Sequence, residues 1–267
     1  MIPNVLTIAG TDPTGGAGIQ ADLKTFSAVG AYGMSVVTAP VAQNTTGVFD
    51  VQVMSPEFVR AQIDAVFSDV RVDAVKIGML ADAEIVRAVA AALREYAPEH
   101  VVLDPVMVAK SGDRLLAPDA VAALRDELVP IVDLITPNLP EAADLLGEKE
   151  IHDEAEMPDV ARRLSELGRA RVLLKGGHLS GEKSTDLLLD GGELTTLTDA
   201  RIPTRNTHGT GCTLSSATAA FRPRRPDWIS AVSDAKAYLS GAIAAADQLD
   251  VGHGNGPVHH FYALWEK

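Results

Sequence analysis

A single cysteine, Cys212, occurs among the 267 residues, so no intrachain disulfide can form. That usage fits a reducing compartment. Aromatic residues are scarce at 4%, whereas hydrophobic residues reach 46% and glycine is frequent. The balance argues against an all-β sandwich and for α/β packing around one large core. Basic residues are outnumbered, 23 against 36, leaving a net charge of −13. An acidic surface repels phosphodiester backbones and anionic lipid heads, so neither nucleic acid nor a membrane surface is an expected partner. It also means that any phosphate site must be built locally, from backbone N–H groups, a few placed cations or a metal. No apolar run reaches the ~18–20 residues of a membrane-spanning helix, and no basic leader or cleavage pattern precedes residues 5–9. The expectation is a cytoplasmic protein forming one domain over residues 1–267.

Two nucleotide signatures are missing. No G-x-x-x-x-G-K-[ST] loop is present. Residues 16–21 imitate a dinucleotide fingerprint, but lack its third glycine and the acidic residue about 20 positions on that would hold a ribose. The histidines make no structural metal site: His259 and His260 are adjacent and would point apart, and His253 sits in a glycine-rich turn.

What is present alternates. Short runs rich in Val and Ile, apolar on both faces, predict strands over 5–9, 35–42, 74–77, 100–103, 134–136 and 171–175. Longer amphipathic runs predict helices over 18–29, 56–67, 82–96, 118–128, 140–146 and 153–167. Ser55-Pro56-Glu57 and Ala117-Pro118-Asp119 supply start signals. Beyond Lys175, residues 185–189 and 194–197 flank Asp190-Gly191-Gly192 and predict a hairpin. Two long helices follow, over 211–221 and 227–248. Such an order gives an open, mostly parallel sheet covered by helices on both faces.

Five segments could carry chemistry. Gly209-Thr210-Gly211-Cys212 precedes a small-residue helix. Glycines let backbone N–H groups approach a ligand, and the helix start favours an anion and a lowered thiol pKa; the same run also suits a tight turn with Cys212 as core filler. Asp104 follows an apolar strand, as does the run Asn138-Leu139-Pro140-Glu141, at the edge where parallel sheets bind ligands. These groups suit a hard cation such as Mg²⁺, or serve as a turn residue and a helix-start acid. Lys175, before Gly176-Gly177-His178, either reaches a nucleotide phosphate or simply ends a strand. The polar loop from Gly10 to Gly18 leads to Asp22 on the next helix. Gln43-Asn44 ends a strand at the same edge, where an amide can both donate to and accept from a heterocycle.

From about Val5 to Phe261 these segments resemble the hydroxymethylpyrimidine/phosphomethylpyrimidine kinases of thiamine biosynthesis, within the ribokinase-like superfamily. The most specific stretches are AGTDPTGGAGIQADLKTFSA, Ala42-Gln43-Asn44-Thr45, KIGML, LDPVMVAKSGDRLL, TPNLPEA, LLKGGH, TRNTHGTGC and GHGNGPVHHF. The resemblance implies a ribokinase-like α/β fold and MgATP-dependent phosphorylation of the pyrimidine alcohol and then of its monophosphate. It also implies a homodimer. Carried over by position, Gly10, Asp22, Gln43, Met79 and Val106 would bind the pyrimidine, Asp22 and Gln43 by hydrogen bonds. Asn138, Glu141 and Lys175 would serve the nucleotide. Gly209 and Gly211 would form the anion hole, Cys212 would act as the base, and Asp104 with Glu141 would hold Mg²⁺. Lys110 would lie in a flap over the site. The first loop departs from the pattern, with Thr11 and Pro13 where Ser is expected, and residues 222–227 look atypical. A pyridoxal kinase and a catalytically silent ligand sensor on the same fold remain alternatives.

Overall fold

The computed structural model describes residues 1–107, 116–177 and 179–265. The expected residues Lys110 and His178 lie outside them. Eight strands form the main sheet: β1 (Asn4–Ala9), β2 (Tyr32–Val37), β5 (Ala74–Ile77), β6 (Val101–Leu103), β7 (Leu134–Ile135), β8 (Arg171–Lys175), β9 (Lys183–Asp190) and β10 (Glu193–Ala200). Their spatial order is β10-β9-β8-β7-β6-β5-β1-β2. All pairs from β8 to β2 are parallel, and β9 and β10 add an antiparallel hairpin at one edge.

The strands are apolar on both faces because both faces are covered, and alternate residues go to opposite sides. Leu6, Ile8, Val75, Ile77 and Leu103 pack toward α2 (Pro56–Phe67), α3 (Ala83–Tyr96), α4 (Pro118–Ala123), α5 (Leu139–Leu146) and α6 (Met157–Ser165). Val5, Ala74, Val102, Leu134 and Leu173 pack toward α1 (Gly18–Ala28), α7 (Thr210–Phe221) and α8 (Trp228–Ala244). Side chains cap several of these helices: Ser55 for α2, Asp82 for α3 and Asp227 for α8. Among the described residues, no helix is long and apolar enough to cross a membrane.

The expected strand over 35–42 is two elements. β2 ends at Val37. Pro40, which has no N–H to give a ladder, separates it from β3 (Val41–Asn44), which pairs with β4 (Gly47–Val51) in a separate two-stranded sheet. Gln43 therefore sits on this small sheet, beside a register irregularity at Ala42/Gln43. The helix expected over 118–128 is α-helical only to Ala123; a wider π-type turn spans Leu124–Leu128, and a 3₁₀ turn, Val129–Ile131, follows. The helix expected over 153–167 becomes a 3₁₀ turn at Glu154–Glu156 and then α6.

Candidate active site

A cavity of about 960 Å³ opens along the C-terminal edge of the parallel strands. Its wall includes Gly10, Gln43, Met79, Val106, Asp104, Asn138, Glu141, Lys175, Gly209, Gly211 and Cys212. Of the described residues expected at the site, Asp22 alone is not part of the cavity wall.

At one end the wall is apolar. Met79 packs with Ala39 and Val41, and Val48, Val51 and Val106 rest against them, so the small sheet roofs this end. A Cβ on Gly10 would lie 2.5 Å from the Met79 methyl and 3.3 Å from the Ala39 carbonyl oxygen, so the Met79 side chain would have to shift. The Gly10 carbonyl accepts from Ile19 N–H at 3.0 Å, fixing the loop to the start of α1. Thr11, at a position where the pattern departs, ties the loop to the roof: its Oγ1 accepts from Val41 N–H at 2.9 Å. The Gln43 amide makes no hydrogen bond with the described residues, leaving both its donor and its acceptor to a ligand.

Asp22 is fully buried beneath this end. Oδ1 accepts from Lys76 Nζ at 2.9 Å and from Ser216 at 2.7 Å; Oδ2 accepts from Lys76 at 2.9 Å and from Thr7 at 2.6 Å. With its lone pairs engaged and no surface on the cavity, it cannot hydrogen-bond a ring there. Lys76, which the sequence reading did not assign, reaches the wall instead. Burial works against its charge, but Asp22, with Cys212 and Asp104 beyond it, outweighs burial and keeps it protonated.

Asp12 organises the first loop. It accepts from Thr14 N–H and Oγ1, from Gly16 and Ala17 N–H, and pairs with His208 Nε2 at 2.8 Å. Burial alone would raise its pKa; the His208 and Thr14 contacts win and hold it at about 2. The first loop is thus locked to the turn that starts α7. No local signal reveals this contact, because 196 positions separate the two residues.

Gly209 is the N-cap of α7, at φ 78°, and the helix has no side-chain cap. A Cβ on Gly209 would collide with the Gly16 carbonyl. A Cβ on Gly211 would stand 3.3 Å from Lys175 Nζ and 3.4 Å from Asp104 Oδ2. The first-turn N–H groups therefore open onto the cavity beside Lys175, where helix geometry leaves such donors without intrahelical partners.

Lys175 Nζ donates to Asp104 Oδ1 at 2.9 Å and stands 3.8 Å from Glu141 Oε2. Thr136 and Ser215 also donate to Asp104. Glu141 and Asn138 form a capping box on α5, each accepting from the other's backbone N–H at 2.8 Å. Asn138 and Glu141 thus start a helix and also face the cavity. Burial raises Glu141 to about 7, Lys175 opposes the shift, and Asp104 adds to it. Two buried carboxylates share one ammonium, so a further cation would fit here. Among the described residues, no group of three or more His, Cys, Asp or Glu side chains could cage a metal without other ligands.

Cys212 corrects an expectation. Burial pushes its thiol up to about 11; Lys76 opposes the shift, and Asp22 and Asp104 add to it. The N-terminus of α7 does not make it a resting thiolate. The cavity wall also carries a group of apolar side chains, Ile202, Pro203 and, on α8, Leu239 and Ile243, which we term the apolar slot.

The sequence profile of the phosphomethylpyrimidine kinase family matches residues 12–259. The hydroxymethylpyrimidine/phosphomethylpyrimidine kinase of Escherichia coli K12 is 61% identical over 262 residues, covering 98% of each chain. The enzyme of that name from Rhizobium meliloti is 57% identical over 261 residues, again covering 98% of each. Among solved structures, an ADP complex of Bacillus subtilis pyridoxal kinase superposes with a TM-score of 0.91 at 37% identity, covering 98% of this chain and 99% of that one. Phosphomethylpyrimidine kinase from Clostridium difficile 630 gives 0.80 at 44% identity, covering 90% and 99%.

Proposed function

The chain belongs to the phosphomethylpyrimidine kinase family, and from that premise we propose which of its residues carry the reaction. It is an ATP-dependent kinase of the hydroxymethylpyrimidine and of its monophosphate, in thiamine biosynthesis. The observation that carries the residue assignment is the single cavity joining an amide-and-thioether pocket to an apolar slot, with the Gly209–Cys212 turn between them.

Met79 and Val106 press on the two sides of the pyrimidine, and Gln43 reads its amino edge. The base of ATP lies in the slot at Leu239 and Ile243. Lys175 reaches the donor phosphates, and the first-turn N–H groups of α7 receive the oxygens of the group in transit. A loose phosphoryl transition state asks mainly for positioning and charge compensation, and this arrangement supplies both. A Mg²⁺ ion held by Asp104 and Glu141, directly or through water, would add charge neutralisation on the phosphates. Cys212 accepts the hydroxyl proton from the minority thiolate form. A second copy of the chain would dock at the free edge of β2, where Tyr32 is exposed.

Gln43→Leu tests the pocket assignment. Leaving the polar edge of a buried ring unpaired costs roughly 1–3 kcal/mol, so kcat/KM for the pyrimidine falls while the KM for ATP stays. An unchanged kcat/KM would put the pyrimidine elsewhere.

A further inference from the structure

Lys76 stands in β5 opposite Thr7 of β1 in the parallel register, and both side chains go to the α1–α7 face. There they meet Asp22 of α1, which takes two of the three ammonium N–H groups, each at 2.9 Å. Two residues along, Gly78 has no side chain; a Cβ there would lie 2.9 Å from Lys76 Nζ. The glycine keeps the approach to the ammonium open. Lys76 is thus fully buried by the protein and still forms part of the cavity floor.

The other cations on the described cavity wall are engaged elsewhere. Lys175 is held by Asp104 and Glu141. Lys236 donates to Asp186 at 2.6 Å near the far slot. Arg201 donates to the carbonyls of Gly177, Gly181, Leu179 and Lys183. Around the acceptor the wall is otherwise uncharged: Gly10, Val41, Gln43, Met79 and Val106. A neutral alcohol needs no counter-charge in such a place. A phosphate monoester brings close to two negative charges at pH 7, and burying an anion without a partner is costly.

We propose that Lys76 is a specificity-determining residue for the second transfer, in which its third N–H and its charge meet the phosphate carried by the acceptor. The inference rests on the two-transfer reading above. It separates the two reactions of one site: Gln43, Met79 and Val106 serve both acceptors, and Lys76 discriminates between them.

The test is the ratio of kcat/KM for the monophosphate to kcat/KM for the alcohol, at saturating ATP and Mg²⁺. Losing a charged hydrogen bond corresponds to roughly 10–100-fold, so Lys76→Met lowers the ratio by that factor. Thermal melting and turnover of the alcohol report folding. Should the methionine variant not fold, Lys76→Gln, which still donates to Asp22 without a charge, takes its place. A ratio unchanged by loss of the charge, with both acceptors declining together, overturns the inference. A wild-type protein inert toward the monophosphate would remove the two-transfer reading itself, and the inference with it.

Discussion

Cys212 and Ser216 lie one helical turn apart on α7, and Ser216 donates to Asp22 Oδ1 at 2.7 Å. The neighbouring pair, Gly211 and Ser215, faces the other buried ion pair; Ser215 donates to Asp104 Oδ2 at 3.3 Å. Residues four apart share a helix face. Two adjacent stripes of one helix therefore join the acceptor-side pair, Asp22–Lys76, to the donor-side pair, Asp104–Lys175. The small residues of α7 let it approach both.

The Cys212 thiol gives the first prediction. With its pKa pushed up to about 11, the thiolate is a minority species at neutral pH. If that thiolate takes the proton, kcat/KM climbs by roughly tenfold per pH unit through the neutral and alkaline range. Cys212→Ala then loses about 10²–10⁴ in rate, and the pH dependence goes with it. Substrate binding by calorimetry persists. A variant that keeps most of its kcat with an unchanged pH profile would send the proton to phosphate or water instead.

The two glycines of the turn respond differently. Gly209→Ala sets a side chain at positive φ and against the Gly16 carbonyl. It costs more than the ~1–2 kcal/mol of the left-handed conformation alone, so melting temperature and activity fall together. At Gly211 an added methyl is helix-compatible but presses on the Lys175–Asp104 pair. Gly211→Ala keeps the melting temperature, since alanine favours a helix over glycine by up to about 1 kcal/mol, and loses ATP turnover. Equal melting losses in both variants would contradict this division.

Glu141 predicts a pH dependence of stability. Its carboxyl is raised from 4.5 to about 7 in the folded protein, by burial first. The folded state therefore holds the proton more tightly than the unfolded chain. The stabilisation is full below pH 4.5 and is lost as pH rises through 7, amounting to a few kcal/mol at most. Glu141→Gln flattens this slope and matches or exceeds the wild type in melting temperature above pH 7. A wild-type protein whose stability rises with pH across this window, with the slope unchanged in the variant, would place the charge elsewhere.

Much of this was legible in the sequence because it is local. The strand–helix alternation, the strand-end positions of Asp104 and Lys175, and the glycine turn before α7 all follow from short-range pattern. The rest depends on long-range partners. The resemblance made Asp22 a ring ligand, and nothing nearby in the sequence reveals its partners Lys76, 54 residues on, and Ser216, 194 residues on. The thiol of Cys212 was read from its helix terminus, whereas burial and two carboxylates set its protonation. The break at Pro40 had a local signal, since proline rarely sits inside a strand. The apolar run across it masked the change of sheet.

The most direct test of the account measures coupled ADP release by the wild-type protein with Mg²⁺ and ATP, offering hydroxymethylpyrimidine, its monophosphate and pyridoxal separately. The account predicts turnover of the pyrimidine alcohol and of its monophosphate, each abolished by chelating the metal. Turnover of pyridoxal alone would leave a kinase with a different acceptor pocket and contradict the assignment of Gln43, Met79 and Val106.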